Sequence, residues 1–235
     1  MYDKQDKNSI KELFNSIASR YDILNNVISL YNHKFIKAQA VSNLCDIIDK
    51  KDLRILDLCC GSGDITKLFA KKFPMAEIIG IDFSEKMLEI AREKCQKYSN
   101  ITFINFDVTN LKNLDCGKFD ICFISFGLRN LPSVENFLEN IRFVLNQGAI
   151  LSILDLGKPN GIIRFFYNIY FKILMPIFSL PVLGNIFPTK YLVNSLKTYP
   201  SQDEMLNILN KFGFTDLKNN NWLFGAITQH IGKCK

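Results

Sequence analysis

Residues 55–64 read Ile-Leu-Asp-Leu-Cys-Cys-Gly-Ser-Gly-Asp. Ile55, Leu56 and Leu58 form a short apolar run suited to a buried strand. Gly61, Ser62 and Gly63 break that run, and DITKLFAKKF (64–73) takes up a helical period. A strand that ends in a glycine turn and opens a helix makes a cradle for a nucleotide-like ligand. Glycine lets the backbone approach a ligand closely and adopt φ > 0. The helix N-terminus adds unpaired N–H groups and a partial positive charge. Asp57 stands near the strand's carboxyl end, the side on which open α/β sheets bind ligands. The bland alternative is a tight strand–helix turn with no ligand.

The cradle is not the dinucleotide fingerprint G-x-G-x-x-G, because Thr66 stands where the third glycine belongs. No Gly-Lys-Ser/Thr follows, so a P-loop is also unsupported. An acidic residue, small residues and then Gly-x-Gly is instead the pattern of S-adenosylmethionine (SAM) methyltransferases.

Downstream, strands alternate with helices. AEIIGID ends a second strand at Asp82, and Ser84 caps the helix after it. An acidic residue there, after a glycine turn, can accept hydrogen bonds from both ribose hydroxyls of a nucleoside. ITFINFD reads as a third strand ending at Asp107, whose side chain could meet an adenine edge together with the Val108 backbone. FDICFIS and AILSILDL read as strands four and five, separated by the amphipathic SVENFLENIRFVLN. This alternation predicts a doubly wound, mostly parallel sheet with right-handed crossovers. FTDLKN and WLFGAITQHIGK close the chain as an antiparallel hairpin, for seven strands in total.

Upstream, Ile10, Leu13, Phe14, Ile17, Tyr21 and Leu24 recur at steps of three and four and predict a helix over 9–30. Ser9 with Glu12 reads as its capping box. A second helix is expected over 34–49, with Val41, Leu44, Ile47 and Ile48 facing inward. The pair either closes over the cradle or covers one edge of the sheet.

The segment 162–187 is dense in Ile, Phe, Tyr and Leu. Its length suits a membrane span, but Arg164, Asn168, Lys172, Pro176 and Pro181 interrupt it. Ile162, Phe166, Ile169 and Ile173 repeat at helical spacing. Two readings stand: a buried helix, or an apolar lid that receives a greasy substrate or touches a bilayer.

The 235 residues carry a net charge of +6, 48% hydrophobic residues, seven Cys and two His. That length suits one α/β domain. We divide it into a helical cap (1–50), a SAM-binding core (51–156), an apolar substrate-side insertion (157–200) and a closing helix with two strands (201–235). The cysteines form no C-x-x-C pair, so no zinc site is expected. Free thiols fit a reducing compartment. The polar start, MYDKQDKNSI, lacks the apolar core of a signal peptide. Lysines are scattered among acidic residues, and no basic run interleaves with aromatics as in single-strand binders, so no nucleic-acid partner is expected.

Five spaced motifs extend the reading beyond a fold class. They are YDILNNVISLYNH (21–33), SFGLRN (125–130), DLGKP (155–159), YLVNSLKTYPSQDEM (191–205) and FGAITQHIGK (224–233). With them the chain resembles the menaquinone/ubiquinone biosynthesis C-methyltransferases over nearly its whole length. It departs from that pattern at Leu24 (Met is usual), Ile36 (Trp), Asn146–Ala149 (Lys-Pro-Gly-Gly) and Asp155 (Glu). The first two could alter a substrate pocket, and the third reads as a surface turn.

The resemblance implies a Rossmann-like class I methyltransferase that uses SAM, and no metal, to methylate a ring carbon of a polyprenylated quinol. Demethylmenaquinol is the favoured acceptor and a polyprenyl benzoquinol the alternative. It implies a cytoplasmic protein, with room for peripheral contact at the membrane's inner face through 162–187 and for a homodimer. It places SAM contacts at Ser62, Asp82, Asp107, Val108 and Ser125. With the cradle residues the candidate cofactor set is Asp57, Gly61, Ser62, Gly63, Asp82, Phe83, Asp107, Val108 and Ser125.

An aromatic carbon is a poor nucleophile until a neighbouring hydroxyl loses its proton, so the site must align the ring, exclude water and stabilise phenolate character. The candidates are Arg129 and Asp64, expected to pair, with Asn130 orienting the hydroxyl or a water and Tyr21 touching the hydroxyl. Their structural alternatives are a helix cap for Asp64, a loop tie for Arg129 and a core aromatic for Tyr21. His33 or His230 could serve as a base, although a lone His is more often a satisfied structural group. Competing functions are SAM methylation of another small molecule or RNA, and a non-catalytic SAM-binding assembly partner.

Overall fold

A computed structural model describes residues 6–29, 31–45, 47–48, 52–184 and 187–235. The strands are β1 (Arg54–Leu58), β2 (Glu77–Asp82), β3 (Ile101–Asn105), β4 (Phe119–Ser125), β5 (Leu145–Leu156), β6 (Phe214–Trp222) and β7 (Ile227–Cys234). They form one seven-stranded sheet in the order β3-β2-β1-β4-β5-β7-β6. β1 to β5 run parallel, and β7 inserts antiparallel between β5 and β6. The central strands are buried on both faces, which explains their unbroken apolar runs. The order reverses at β1, between β2 and β4. That switch point opens a crevice beyond the carboxyl ends of the strands.

The helices are α1 (Lys7–Ile17), α2 (Tyr21–Ile28), α3 (Asn32–Cys45), α4 (Asp64–Lys72), α5 (Glu85–Cys95), α6 (Val134–Ile141), α7 (Gly161–Ile169), α8 (Met175–Leu183), α9 (Phe187–Lys197) and α10 (Gln202–Lys211). Two apolar layers sandwich the sheet. One joins Leu56, Leu58 and Ile124 to Phe137 and Leu138 of α6 and Met205 and Leu209 of α10. The other joins Ile55, Ile78 and Phe123 to Leu44 of α3 and Phe69 of α4, with Phe69 edge-on to Phe123 at 5.5 Å.

Several boundaries differ from the sequence expectation. The first helix is two helices, because the 3-10 turn Ala18–Arg20 breaks 9–30. Its cap is Asp6, whose side chain accepts from the Asn8 N–H at 3.1 Å, so Ser9 already lies inside the helix and forms no capping box. α3 begins at Asn32 and ends at Cys45, and positions 46 and 49 of the expected helix lie outside the described residues. Asn146–Ala149 is not a surface turn. It lies inside β5, where a bulge shifts the register against β4 and Gly148 takes φ +76°. Of the two departures expected to shape a substrate pocket, Ile36 is a core residue packed beneath the sheet, while Leu24 is buried but lines a small cavity that shares Tyr21, Asn25 and Arg129 with the large apolar cavity described below.

The segment 162–187 is not a buried helix. α7, a π-helical turn over Tyr170–Leu174 and α8 form one rod, with positions 185 and 186 outside the described residues. Ile162, Phe165, Phe166, Ile173, Ile177 and Phe178 are exposed, while Met175 and Ser179 face inward. Gly161–Val182 is long and apolar enough to cross a membrane. One side of it packs on the protein, and Arg20 donates to the Val182 carbonyl at 2.9 Å.

Candidate active site

The cradle forms as its residue types dictate. Gly61 and Gly63 both take left-handed φ, +54° and +79°. A Cβ at Gly63 would also stand 3.0 Å from the Ala91 Cβ, so glycine lets α4 approach α5 closely. Cys59 is left-handed without being glycine (φ +54°), a strained conformation of the kind found at ligand sites.

Asp82 ends β2 beside this turn. Its Oδ2 accepts from the Gly61 N–H and its Oδ1 from the Ser84 N–H, each at 2.9 Å. Burial raises its pKa to about 6, and those backbone donors hold it from rising further. Asp82 thus staples the cradle while walling a cavity of about 70 Å³ with Gly61, Phe83, Val108 and Ser125. Lys7, Ile10 and Phe14 of α1 close the same cavity, with Phe14 edge-on to Phe83 at 6.4 Å.

The other cofactor candidates lie off this wall. Asp57 is fully buried beneath the cradle, where its Oδ2 accepts from the Thr66 hydroxyl at 2.5 Å and its Oδ1 has no partner among the described residues. Burial pushes it up to about 7. Asp107 caps the turn after β3 through Thr109 and pairs with Lys7 at 2.8 Å. Ser62 donates to Asp22 at 2.7 Å, and Gly63 packs on α5.

The expected Arg129–Asp64 pair does not form. Arg129, in the 3-10 turn Leu128–Asn130 after β4, pairs with Asp155 at the end of β5, with Nη1 2.5 Å from Oδ1. Burial alone would lower the guanidinium's pKa, but Asp155 more than offsets it and raises it. Asp64 opens α4 on the other side of the cradle, held by Lys37 at 2.9 Å and Lys94 at 2.8 Å. Burial opposes its ionisation, yet the two ammonium groups keep its carboxyl well below the usual range. The two residues follow the neighbouring strands β1 and β4, yet each found a nearer partner. Lys94 also donates to Asp22 of α2 at 2.6 Å and to Ser62 at 3.0 Å. This network ties α2, α3, α4 and α5 to the cradle. Its members come from elements far apart in sequence, so no spacing pattern announced it.

A second cavity, of about 490 Å³, lies on the far side of Tyr21 and Phe126, which line both spaces. Its walls are largely apolar: Phe166, Tyr170, Phe171 and Met175 from the rod, and Leu223 and Phe224 from the turn between β6 and β7. Its polar points include Arg129, His33, Lys37, the side chains of Asn25, Ser29 and Asn32, and the hydroxyls of Tyr21, Tyr167 and Tyr170. Asn130 lines the smaller cavity, and its Oδ1 accepts from the Tyr191 hydroxyl at 3.2 Å. His230 is buried on β7 away from both cavities, with Nε2 3.2 Å from the Gln202 carbonyl.

This sheet order, a glycine cradle with an acidic strand end, and an adjoining apolar cavity define a class I SAM-dependent methyltransferase. The carboxylate of Asp82 suits ribose hydroxyls, and the flat apolar wall of Phe83, Met87 and Val108 suits an aromatic base. The fold agrees with solved structures. Magnesium protoporphyrin IX methyltransferase from Synechocystis PCC 6803 with bound SAM superposes at TM-score 0.67 and 18% identity, covering 100% of this chain and 99% of that one. The plantazolicin methyltransferase BpumL with SAH gives 0.65 and 15%, covering 96% of each.

The chain belongs to the ubiE/COQ5 methyltransferase family, whose model matches residues 1–234. Demethylmenaquinone methyltransferases of Staphylococcus aureus (strain JH9) and Staphylococcus carnosus (strain TM300) are each 32% identical to it over 231 residues, 97% of this chain and 94% of theirs.

Proposed function

We propose that this enzyme methylates a ring carbon of a polyprenylated quinol, with demethylmenaquinol as its acceptor. The observation that carries this is the 490 Å³ apolar cavity sharing Tyr21 and Phe126 with the cofactor space. A largely apolar cavity with aromatic walls suits a flat ring with a greasy tail. The names of the curated relatives favour the naphthoquinol over a benzoquinol.

SAM, when bound, supplies an electrophilic methyl group on a sulfonium. Asp82, Gly61, Phe83, Val108 and Ser125 hold the nucleoside end. Asp57, Ser62 and Gly63 support the cradle from behind, and Asp107 holds Lys7 over the nucleoside end. Tyr21 separates cofactor from acceptor and aligns the ring. Arg129, fixed by Asp155, presents positive charge to the ring oxygen and favours its phenolate form. Asn130 keeps that turn in place through Phe126 and Tyr191. Asp64 serves the cradle network and lines neither cavity.

The exposed rod supports peripheral seating on a membrane. From 156 to 202 the chain has no Asp or Glu but carries Lys158, Arg164, Lys172, Lys190 and Lys197. Apolar side chains flanked by cations suit the interface of an anionic leaflet. Phe166 on the rod and Phe224 on the turn between β6 and β7 are both exposed and both at the cavity wall, so a prenylated ring could enter from the lipid side.

The test is to supply demethylmenaquinol and a demethylated polyprenyl benzoquinol with SAM and follow the mass of each. A gain of one methyl on the naphthoquinol is expected. Transfer to neither ring would overturn the reading.

A further inference from the structure

The motif YDILNNVISLYNH carries Ser29 and His33 one helical turn apart, and the functions argued above leave both unused. Ser29 Oγ lies 2.6 Å from the Asn25 carbonyl oxygen. A carbonyl has no proton to give, so the hydroxyl proton must lie on that line. Ser29 Oγ also lies 2.8 Å from His33 Nδ1. With its single proton already committed, the serine oxygen can only accept there. Nδ1 therefore carries the ring proton, and Nε2 is left with a free lone pair. The backbone N–H of His33 points at the same oxygen at 3.3 Å, which fixes the ring's place in the turn.

The imidazole is 4% exposed and lines the 490 Å³ cavity. Nε2 has no partner among the described residues and is not sealed off, so it is the ring's open edge on that space. Burial, and then the Lys37 ammonium, lower the pKa of His33 to about 4. The charged groups around it are Lys37 and Lys34 on its own helix, Asp64 of α4 and Asp22 of α2. Both carboxylates are held by lysines, Lys37 and Lys94, and neither carries a hydrogen bond to the ring. The ring is thus neutral at physiological pH with its lone pair free, and because the same burial makes it a weak base, it takes a proton only as the methyl transfer proceeds.

We infer that His33 is a catalytic residue whose Nε2 accepts the hydrogen bond of a substrate ring hydroxyl and takes its proton as the ring is methylated. The O–H bond breaks and Nε2–H forms. The electron pair stays on oxygen and is delocalised to the ring carbon, which bonds the methyl as the S–CH3 bond breaks and leaves its pair on the departing sulfur. That carbon's own hydrogen then leaves to solvent as a proton. Its bonding pair restores the aromatic ring, and His33 returns its proton to the oxygen. The net proton released is the one from carbon, and no oxidant or reductant is needed. The identity of the ring rests on the quinol reading; the tautomer does not.

The chain has only two histidines, so the ring nitrogens are separable by NMR after ¹⁵N-histidine labelling. The expected result is an Nδ1–H tautomer for His33 and an Nε2 resonance that moves when 1,4-dihydroxynaphthalene is added with S-adenosylhomocysteine. An Nε2–H tautomer, or no response to the diol, would overturn the inference. In the second arm, His33→Ala should lower turnover of demethylmenaquinol about 10²-fold or more. Melting temperature and SAM affinity should be retained, and added imidazole should restore part of the rate. Near-normal turnover, or a loss that imidazole does not touch, would also overturn it. If the wild-type enzyme methylates no quinol, the quinol reading fails on its own and the NMR arm alone decides for or against His33.

Discussion

Arg129 and Asp155 face each other across the tips of β4 and β5, with Nη1 2.5 Å from Oδ1 and the Arg129 backbone N–H 3.3 Å from Oδ2. The carboxylate is 1% and the guanidinium 10% exposed, so neither charge is tolerable without the other. The pair holds a fixed cation at the wall of the apolar cavity.

Removing that cation tests stability and chemistry together. Arg129→Ala should cost about 3–5 kcal/mol, because Asp155 is left buried and unpaired. Arg129→Lys keeps a charge for Asp155 but loses the planar fork. Its melting temperature should stay near that of the wild type while turnover falls about 10²-fold, the loss typical of one electrostatic donor. Near-normal turnover in a folded Lys variant would leave Arg129 with a structural role only.

Asp82 answers to calorimetry. Asp82→Asn turns one acceptor into a donor, facing the N–H of either Gly61 or Ser84. SAM binding should weaken by about 1.5–3 kcal/mol, the range for hydrogen bonds to a charged group. Unchanged affinity in a folded variant would remove Asp82 from the cofactor site.

Lys94 joins the helical cap to the cradle through Asp22, Ser62 and Asp64. In Lys94→Ala, Lys37 still neutralises Asp64, but Asp22 loses its cation. Hydrogen exchange should quicken across α1 and α2 and not across β1, β2 and β4, since the cap packs through few buried residues. Uniform quickening would mean that the network supports the whole fold.

Asp57 predicts a pH dependence of stability. Burial raises its folded pKa to about 7, above its ordinary value of 3.8. A carboxyl raised on folding contributes its full stability below the unfolded pKa and loses it as pH rises through the folded one. Wild-type stability should therefore carry a falling term between about pH 4 and 7, on the order of a few kcal/mol at about 1.4 per pH unit. Asp57→Asn should make that slope shallower in urea titrations run at several pH values, leaving the part that Asp82, raised by burial to about 6, contributes below that pH, even if its buried amide lowers stability overall. An identical slope in the variant would show Asp57 to be ionised throughout.

The exposed rod predicts a dependence on lipid. Phe166→Ser with Phe224→Ser should weaken sedimentation with vesicles containing phosphatidylglycerol and slow turnover of long-chain quinols more than of short-chain analogues. Equal losses on both chain lengths would confine these residues to packing.

The strand–turn–helix at 55–64, the acidic end of β2 and the parallel alternation were legible because each is local. A glycine turn, a cap and an apolar period act within a few residues, and the sequence states them directly. The exposure of 162–187 was not legible, since helical spacing reads the same against a core, a cavity or a lipid surface. The split of the first helix at Ala18–Arg20 was equally hidden, for Ile17, Tyr21 and Leu24 keep their period across it.

By itself, then, the sequence determined the doubly wound sheet, the cradle and the family. Only the tertiary structure decided which charges meet. Arg129 took Asp155 rather than Asp64, and Asp64 took Lys37 and Lys94. Ser29 turned a histidine's lone pair toward a cavity that segments far apart in sequence enclose. A buried charge must find its partner within hydrogen-bonding reach, and that reach is set by how strands and helices pack, not by their order along the chain.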